Sequence, residues 1–377
     1  EAVRGAALST LLSTQRLQGE RDVRAEFAGL ISTPGDGRRT IYDCKTGTNL
    51  ALAKTVRTEN GPASSDASVN RAFDGFGQTR KFFKTVLRRN SIDNKGMRLD
   101  GFVHRGLRYN NAFWDGQRMV FGDGDGVVFT DFTSSLDVIA HELTHGVTEF
   151  AAGLEYHNQS GALNESMSDV FGSLVKQWSL GQSVDEADWL IGSEVFTPGV
   201  DADALRSMKA PGTAYDNPMF GKDPQPGHMR DFVKLPDNED GDWGGVHINS
   251  GIPNKAFFVT AMEMGGRAWD KAGPIWYAAL LASQPTTGFQ EFANTTFVKA
   301  GLLHGSGSGE QKAVAAGWKA VGIDASGTAK VAGGEPTATT LESALEDVTL
   351  SLSGLAKRLQ EIATDVHKMA SNGDHGS

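Results

Sequence analysis

The chain lacks what would mark it for a disulfide framework, a membrane span or a nucleic-acid surface. One cysteine, Cys44, stands in 377 residues, so no internal disulfide can form, and on that ground the compartment stays open. No apolar run approaches the roughly 20 residues that cross a bilayer. No basic cluster points to nucleic acid, and the excess of 46 acidic over 36 basic residues, a formal charge of −10, bears mainly on solubility. No signal peptide is visible, yet the chain begins at Glu1 without methionine, so the native start is expected to lie further upstream. The composition is 39 % hydrophobic, ordinary for a water-facing protein, over a length that can bury two sizeable cores.

What is present centres on HELTH, residues 141–145. Residues four apart share one face of a helix, so His141 and His145 can offer both imidazoles to one metal ion. Glu142 then lies close enough to reach a water on that metal. Two histidine ligands and a glutamate base form the pattern of zinc peptidases. The stretch LDVIAHELTHGVTEFAAG contains no proline, keeps an apolar stripe and closes on Gly153, which predicts a helix. The competing reading is a chance pentapeptide on an ordinary amphipathic helix, and the surrounding residues decide against it.

Catalytic zinc keeps three protein ligands and one open position. GALNESMSDVFGSLV, residues 161–175, predicts a second helix that places Glu165 and Asp169 on one face. Glu165 is the expected third ligand. Asp169 is expected to accept from the far ring nitrogen of one histidine, and Asn164 to serve the other similarly. A solvated acidic face is the plainer alternative, but the flanking Leu163, Met167, Val170 and Phe171 read as core.

With these residues the chain resembles the thermolysin family of metallopeptidases, from about Arg39 to about Ile323. NNAFWDGQRMVFGDGDG (110–126), HELTHGVTEFAAGLEYHNQSGALNESMSDVFG (141–172), LRSM (205–208) and GGVHINSGIPNKAF (244–257) follow family patterns in family order. RNSIDNKG (89–96), GSLVKQ (172–177) and GKDPQPGHMRDF (221–232) bring it nearest the protealysin-like branch. The resemblance implies an α+β, two-domain metallopeptidase. Its β-rich N-terminal half, 31–136, and mainly helical half, 137–324, would enclose the active-site cleft, with the HELTH helix at its floor.

The resemblance also implies roles. Tyr156 and His247 would donate to the developing oxyanion, and Asp242 would orient His247 and favour its protonated form. Asn111, Ala112 and Trp114 would line an edge strand that pairs with an extended peptide; Phe113 reads as core. Arg206 would donate to a substrate carbonyl. Phe129, Phe132, Val138, Ile191, Val195 and Leu205 would form a pocket for a bulky apolar side chain, although each alone would more often be core. His104, His157, His228, His304, His367 and His375 have no comparable context and receive no role. Cys44 is read as a buried bystander rather than a thiolate that blocks the metal.

The family pattern breaks beside the HELTH helix. Thermolysin itself holds two calcium ions there with clustered carboxylates. Asp137 and Asp188 remain in this chain, but Lys176, Leu190 and Ser193 stand where the family places acids. A calcium pair needs many oxygen ligands, so that pair is expected to be absent and Lys176 to bond Asp137 or Asp188 instead. One calcium ion is a further expectation at Thr197, Val200 and Asp203.

Residues 1–30 read as the helical tail of a propeptide of the protealysin type, with an extra surface helix as the alternative. Residues 325–340 are a linker by their Gly, Ala, Thr and Pro content. Residues 341–370 then carry Leu341, Leu345, Val348, Leu352, Leu355, Leu359, Ile362, Val366 and Met369 at alternating spacings of four and three. Such a heptad predicts a coiled-coil-like helix for self-association or a partner helix, or a helix docked on the chain's own body. The expectation is a zinc endopeptidase acting on proteins or peptides before bulky apolar residues, secreted, with an intracellular setting as the alternative. An inactive zinc-stabilised peptide binder and an oligomerising scaffold are the other classes. No nucleic-acid or membrane partner is expected.

Overall fold

The computed structural model describes residues 38–219 and 221–327. Residues 1–30, the heptad of 341–370 and all but the first residues of the 325–340 linker lie outside the described residues.

The N-terminal half is built on five short strands, β1 (Arg39–Asp43), β2 (Lys54–Thr58), β3 (Leu99–Val103), β4 (Ala112–Trp114) and β5 (Arg118–Phe121). They lie in the order β2-β1-β3-β5-β4. The central pairs β1–β3 and β3–β5 are parallel, while the outer pairs β1–β2 and β4–β5 are antiparallel. Helix α1 (Ala67–Val86) crosses the sheet and buries Val69, Ala72, Phe73, Phe76, Phe82 and Phe83. Asp66 caps it by accepting from Ser68 and Val69. Gly101 on β3 makes room for the crossing, since a Cβ there would lie 2.7 Å from the Phe76 ring. Helix α1 stops at Val86, because Leu87 leaves helical geometry and Arg88 takes φ +55°.

Cys44 sits in a small second cluster with Phe102, Phe113 and Val120. Burial, aided by Asp43, pushes its thiol up to about 11, so it stays protonated and inert, as a bystander should. Phe113 is core, as expected.

The two helices of the metal motif follow. Helix α2 (Leu136–Ala151) carries HELTH and ends where Gly153, at φ +59°, returns its N–H to the Thr148 carbonyl. Helix α3 (Asn158–Leu180) is longer than the 161–175 window and stops at left-handed Gly181. The pair crosses closely at Gly172, where a Cβ would lie 2.6 Å from the Asp137 carbonyl oxygen. Helices α4 (Asp242–Asn249), α5 (Gly251–Met264), α6 (Ala272–Leu280), α7 (Phe289–His304) and α8 (Gly309–Ala320) complete the C-terminal half. Its core is aromatic: Trp276 stacks on Trp318, and Phe257 and Phe292 meet Trp276 edge-on. Among the described residues β4 is therefore the edge strand of the sheet, and the helical half supplies a pair of crossed helices beside it.

Candidate active site

His141 and His145 lie one turn apart on α2 and point Nε2 to a common spot, 3.1 Å from each other. Glu165, on α3, places Oε2 3.5 Å from His141 Nε2 and Oε1 3.5 Å from His145 Nε2. Donors bound about 2.0–2.1 Å from one tetrahedral centre lie about 3.3 Å apart, so these three side chains fit a zinc ion. All three side chains are buried. Among the described residues no other group of three His, Cys, Asp or Glu meets the same geometry.

The far nitrogens of both rings have side-chain partners. His141 Nδ1 lies 2.8 Å from Asp169 Oδ1, and His145 Nδ1 lies 2.8 Å from Asn164 Oδ1. Asn164 donates through Nδ2 to the Leu154 carbonyl, which leaves its oxygen to face the imidazole. Both rings thus carry their proton on Nδ1 and keep the Nε2 lone pair for a metal. Asp169 is held in turn by three donors: Arg206 Nε at 2.8 Å, Arg206 Nη2 at 2.7 Å and Asn254 Nδ2 at 2.8 Å. Burial alone would raise the Asp169 carboxyl, but Arg206 and His141 hold it well below the usual range. Burial likewise opposes charge on Glu165, and the facing His247, His145 and His141 rings outweigh it, so its pKa falls well below normal.

Glu142, next to His141 on α2, is buried, and its Oε2 accepts the Trp114 backbone N–H at 3.1 Å. This bond joins Glu142 to the edge strand of the sheet. On β4 the odd residues bond inward: Gly122 N–H reaches the Asn111 carbonyl, and Asp115 N–H reaches the Arg118 carbonyl. In an antiparallel ladder the alternate residues face the other way, so the backbone groups of Ala112 and Trp114 face the open edge. Asn111 accepts the Ala112 N–H through Oδ1. The Trp114 indole is buried and donates to Glu149. A substrate can therefore meet Trp114 only through its backbone.

Opposite, the Tyr156 hydroxyl contacts Glu165 and lies 3.0 Å from His247 Nε2. Asp242, left-handed at φ +53°, grips His247 twice, through Nδ1 at 2.6 Å and the backbone N–H at 2.9 Å. Burial works against protonation of His247, but Glu165 and Asp242 raise its pKa. Phe129 contacts Phe132 and stacks on Phe196, the neighbour of Val195. The turn at Gly192, which follows Ile191, packs against Leu205 and Val138. Strand β6 (Leu190–Ile191) pairs with β7 (Arg206–Ser207) in the register Ile191↔Arg206.

Lys176 donates to Asp137 at 3.2 Å and to Asp188 at 2.9 Å, bonding both carboxylates where one was expected. In the loop with the single-calcium expectation, the Thr197 hydroxyl donates to the Val127 carbonyl and the Val200 N–H bonds the Thr197 carbonyl. Asp203 bonds through its backbone to Ala214.

Three contacts had no sequence signal: the Trp114 N–H on Glu142, the Arg206 clasp of Asp169 and the Asn254 bond to Asp169. Each joins residues that only the fold brings together.

Residues 32–149 match the family described as "Thermolysin metallopeptidase, catalytic domain", and residues 152–323 match "Thermolysin metallopeptidase, alpha-helical domain". An extracellular metalloprotease of Pectobacterium carotovorum subsp. carotovorum is 50 % identical over 277 residues, covering 74 % of this chain and 78 % of the relative. Protease PrtS of Photorhabdus sp. (strain Az29) is 51 % identical over 288 residues, covering 76 % of each. Among solved structures, the precursor of protealysin, a metalloproteinase from Serratia proteamaculans, matches with a TM-score of 0.74 at 50 % identity, over 78 % of this chain and 89 % of that one.

Proposed function

The chain belongs to the thermolysin family of zinc metallopeptidases, and from that premise we propose an endopeptidase that cuts on the N-terminal side of bulky apolar residues. The observation that carries the mechanism is the convergence of Glu142, Tyr156 and His247 around the His141–His145–Glu165 triad. When bound, zinc acidifies a coordinated water and polarises the scissile carbonyl. Glu142, steered by the Trp114 N–H, takes a proton from the attacking water and returns it to the departing amine. Tyr156 and His247 donate to the carbonyl oxygen as it gains charge, and Asp242 keeps His247 in the donating form. An extended peptide pairs with the edge strand at Ala112 and Trp114 and meets Asn111 through its side chain. Arg206, fixed by Asp169 through Nε and Nη2, turns Nη1 to a substrate carbonyl. The apolar group of Phe129, Phe132, Val138, Ile191, Val195 and Leu205 receives the side chain after the cut.

Action outside the cell is part of the same reading, supported by relatives named extracellular metalloproteases. So is a Lys176 ammonium in place of a calcium pair, with one calcium ion at Thr197, Val200 and Asp203. Two tightly held calcium ions beside Asp137 in a metal analysis would overturn that part. The heptad of 341–370 supports self-association. Its test is a chain ending at Asp324, and unchanged sedimentation relative to the full chain counts against the idea.

The decisive experiment measures casein cleavage with and without a zinc chelator, beside Glu142→Ala. Zinc content should persist in the variant while the rate falls at least 100-fold. A variant that keeps zinc and cleaves at the parent rate would refute the mechanism. Cleavage-site mapping on the same casein digests tests the preference for bulky apolar residues.

A further inference from the structure

A set of contacts just outside the site joins the two segments that bear Tyr156 and His247. His157 follows Tyr156 and sits at the N-cap of α3. Its Nδ1 lies 2.6 Å from Asp237 Oδ1, and the next residue, Asn158, donates through Nδ2 to Asp237 Oδ2 at 2.9 Å. One carboxylate therefore holds two consecutive residues at the entry of the helix that also carries Asn164, Glu165 and Asp169.

Asp237 is itself rigidly joined to the turn that holds Asp242. The residues on either side of it accept from that turn: Pro236 takes the Gly244 N–H at 3.0 Å, and Asn238 takes the Trp243 N–H at 2.9 Å. Four successive residues there, Asp242 to Gly245, have φ between +48° and +84°. Left-handed backbone is costly for aspartate and most of all for tryptophan, and persists only where neighbours over-determine it. One such neighbour is visible: the Trp243 ring meets the His157 ring edge-on, with centroids 5.2 Å apart. Close approach is the other, because a Cβ on Gly244 would lie 2.3 Å from Asn158 Oδ1.

These contacts close a ring. Tyr156 leads covalently to His157 and Asn158, which bond Asp237. Asp237 leads through the strained turn to Asp242, Asp242 holds His247, and His247 returns to Tyr156 at 3.0 Å. The contacts on the far side of the ring involve no metal ligand. We propose that Asp237, with His157 and Asn158, is a positioning latch that sets the separation and aim of the two oxyanion donors. None of the three touches the reacting atoms; each acts through the backbone of Tyr156 or of the Asp242 turn. This inference rests on the reading of Tyr156 and His247 as donors.

A positioning role has its own kinetic signature. Misplacing a preorganised donor weakens the transition state and leaves ground-state binding intact. Asp237→Ala should therefore lower kcat about 10-fold, within the range that sub-ångström misplacement produces, with KM within about two-fold and zinc at one per chain. The affinity of a phosphonamidate peptide, whose tetrahedral phosphoryl group mimics the transition state, should fall in step with kcat/KM, while the affinity of a product dipeptide stays put. His157→Ala should give the same split, and His157→Gln, which retains a donor for Asp237, should recover part of kcat. Should Asp237→Ala not fold, Asp237→Asn reads the same split. A lowered melting temperature with kcat unchanged would show an ordinary structural tie and overturn the latch. So would a rise in KM alone. Tyr156→Phe and His247→Ala run alongside separate the two levels. If they keep full activity, the donor assignment fails. If they lose activity and the Asp237 variants do not, only the latch fails.

Discussion

Asp137 has both carboxylate oxygens held by protein donors. It is fully buried at the start of α2, and Ser135 and the Gly192 N–H satisfy one of its oxygens. The other takes the Lys176 ammonium, which also reaches Asp188. Burial would discharge Lys176, but the two carboxylates outweigh it and raise its pKa. A buried carboxylate left without its partner costs roughly 3–5 kcal/mol, so Lys176→Met should lower stability by about that much. Lys176→Glu should lose more in calcium-free buffer and regain it with calcium, because three carboxylates then surround one point. Thermal unfolding with and without calcium checks this. A parent whose melting point rises with calcium as far as the variant's would contradict the exchange of ammonium for ion.

At the scale of elements, the α2–α3 crossing decides the metal site. Gly172 in mid-helix forgoes up to about 1 kcal/mol of helix propensity relative to alanine. A Cβ there would meet backbone, the Asp137 carbonyl oxygen at 2.6 Å, which cannot swing aside like a side-chain tip. The clash therefore outweighs the propensity gain, and Gly172→Ala should destabilise by about 1–3 kcal/mol. It should also loosen zinc, because the two helices part. Denaturant midpoints and chelator competition read both; a more stable variant would mean that the helices shift freely.

The sheet half has its own junction. His104, given no role from the sequence, bonds Asp123 through Nδ1 at 2.7 Å and Asp66, the cap of α1, through Nε2 at 2.9 Å. The bond to Asp123, opposed by burial and helped by Asp66, raises its pKa from 6.5 to about 9. A pKa raised on folding contributes stability that is fully present below the unfolded value and lost as pH climbs through the folded one. The melting-point gap between the parent and His104→Asn should thus be widest below pH 6.5 and close above about 9. A gap that stays constant over that range would exclude a charged His104. Such junctions separate the legible from the illegible. The ligand helices were legible because i, i+4 spacing puts His141 with His145 and Glu165 with Asp169 on shared faces. The Asp66–His104–Asp123 bridge, the Arg206 clasp and the two-residue strands β6 and β7 carry no local period. Their partners lie too far along the chain for any pattern of spacing to join them.

At the scale of the whole molecule, charge is divided unevenly along the sequence. Residues 38–103 carry 13 Lys and Arg against 6 Asp and Glu, whereas residues 104–327 carry 15 against 28. Together these residues carry −6 of the chain's formal charge of −10, split into a basic stretch and a strongly acidic one. Every metal ligand, Glu142, Tyr156, Asp242 and His247 belong to the acidic part. A cleft in a field of one sign concentrates substrates of the other sign and speeds their encounter. Peptides with lysines placed several residues from the scissile bond should accordingly be cut with a higher kcat/KM than the same peptides with glutamates there. The advantage should be several-fold at low salt and arise mainly through association. Screening shortens the reach of the field from about 10 Å at 0.1 M salt to about 3 Å at 1 M, so the ratio should fall toward one as salt rises. A preference that persists at 1 M salt would assign it instead to a local subsite that contacts the distal residue, and the global field would then have no part in substrate choice.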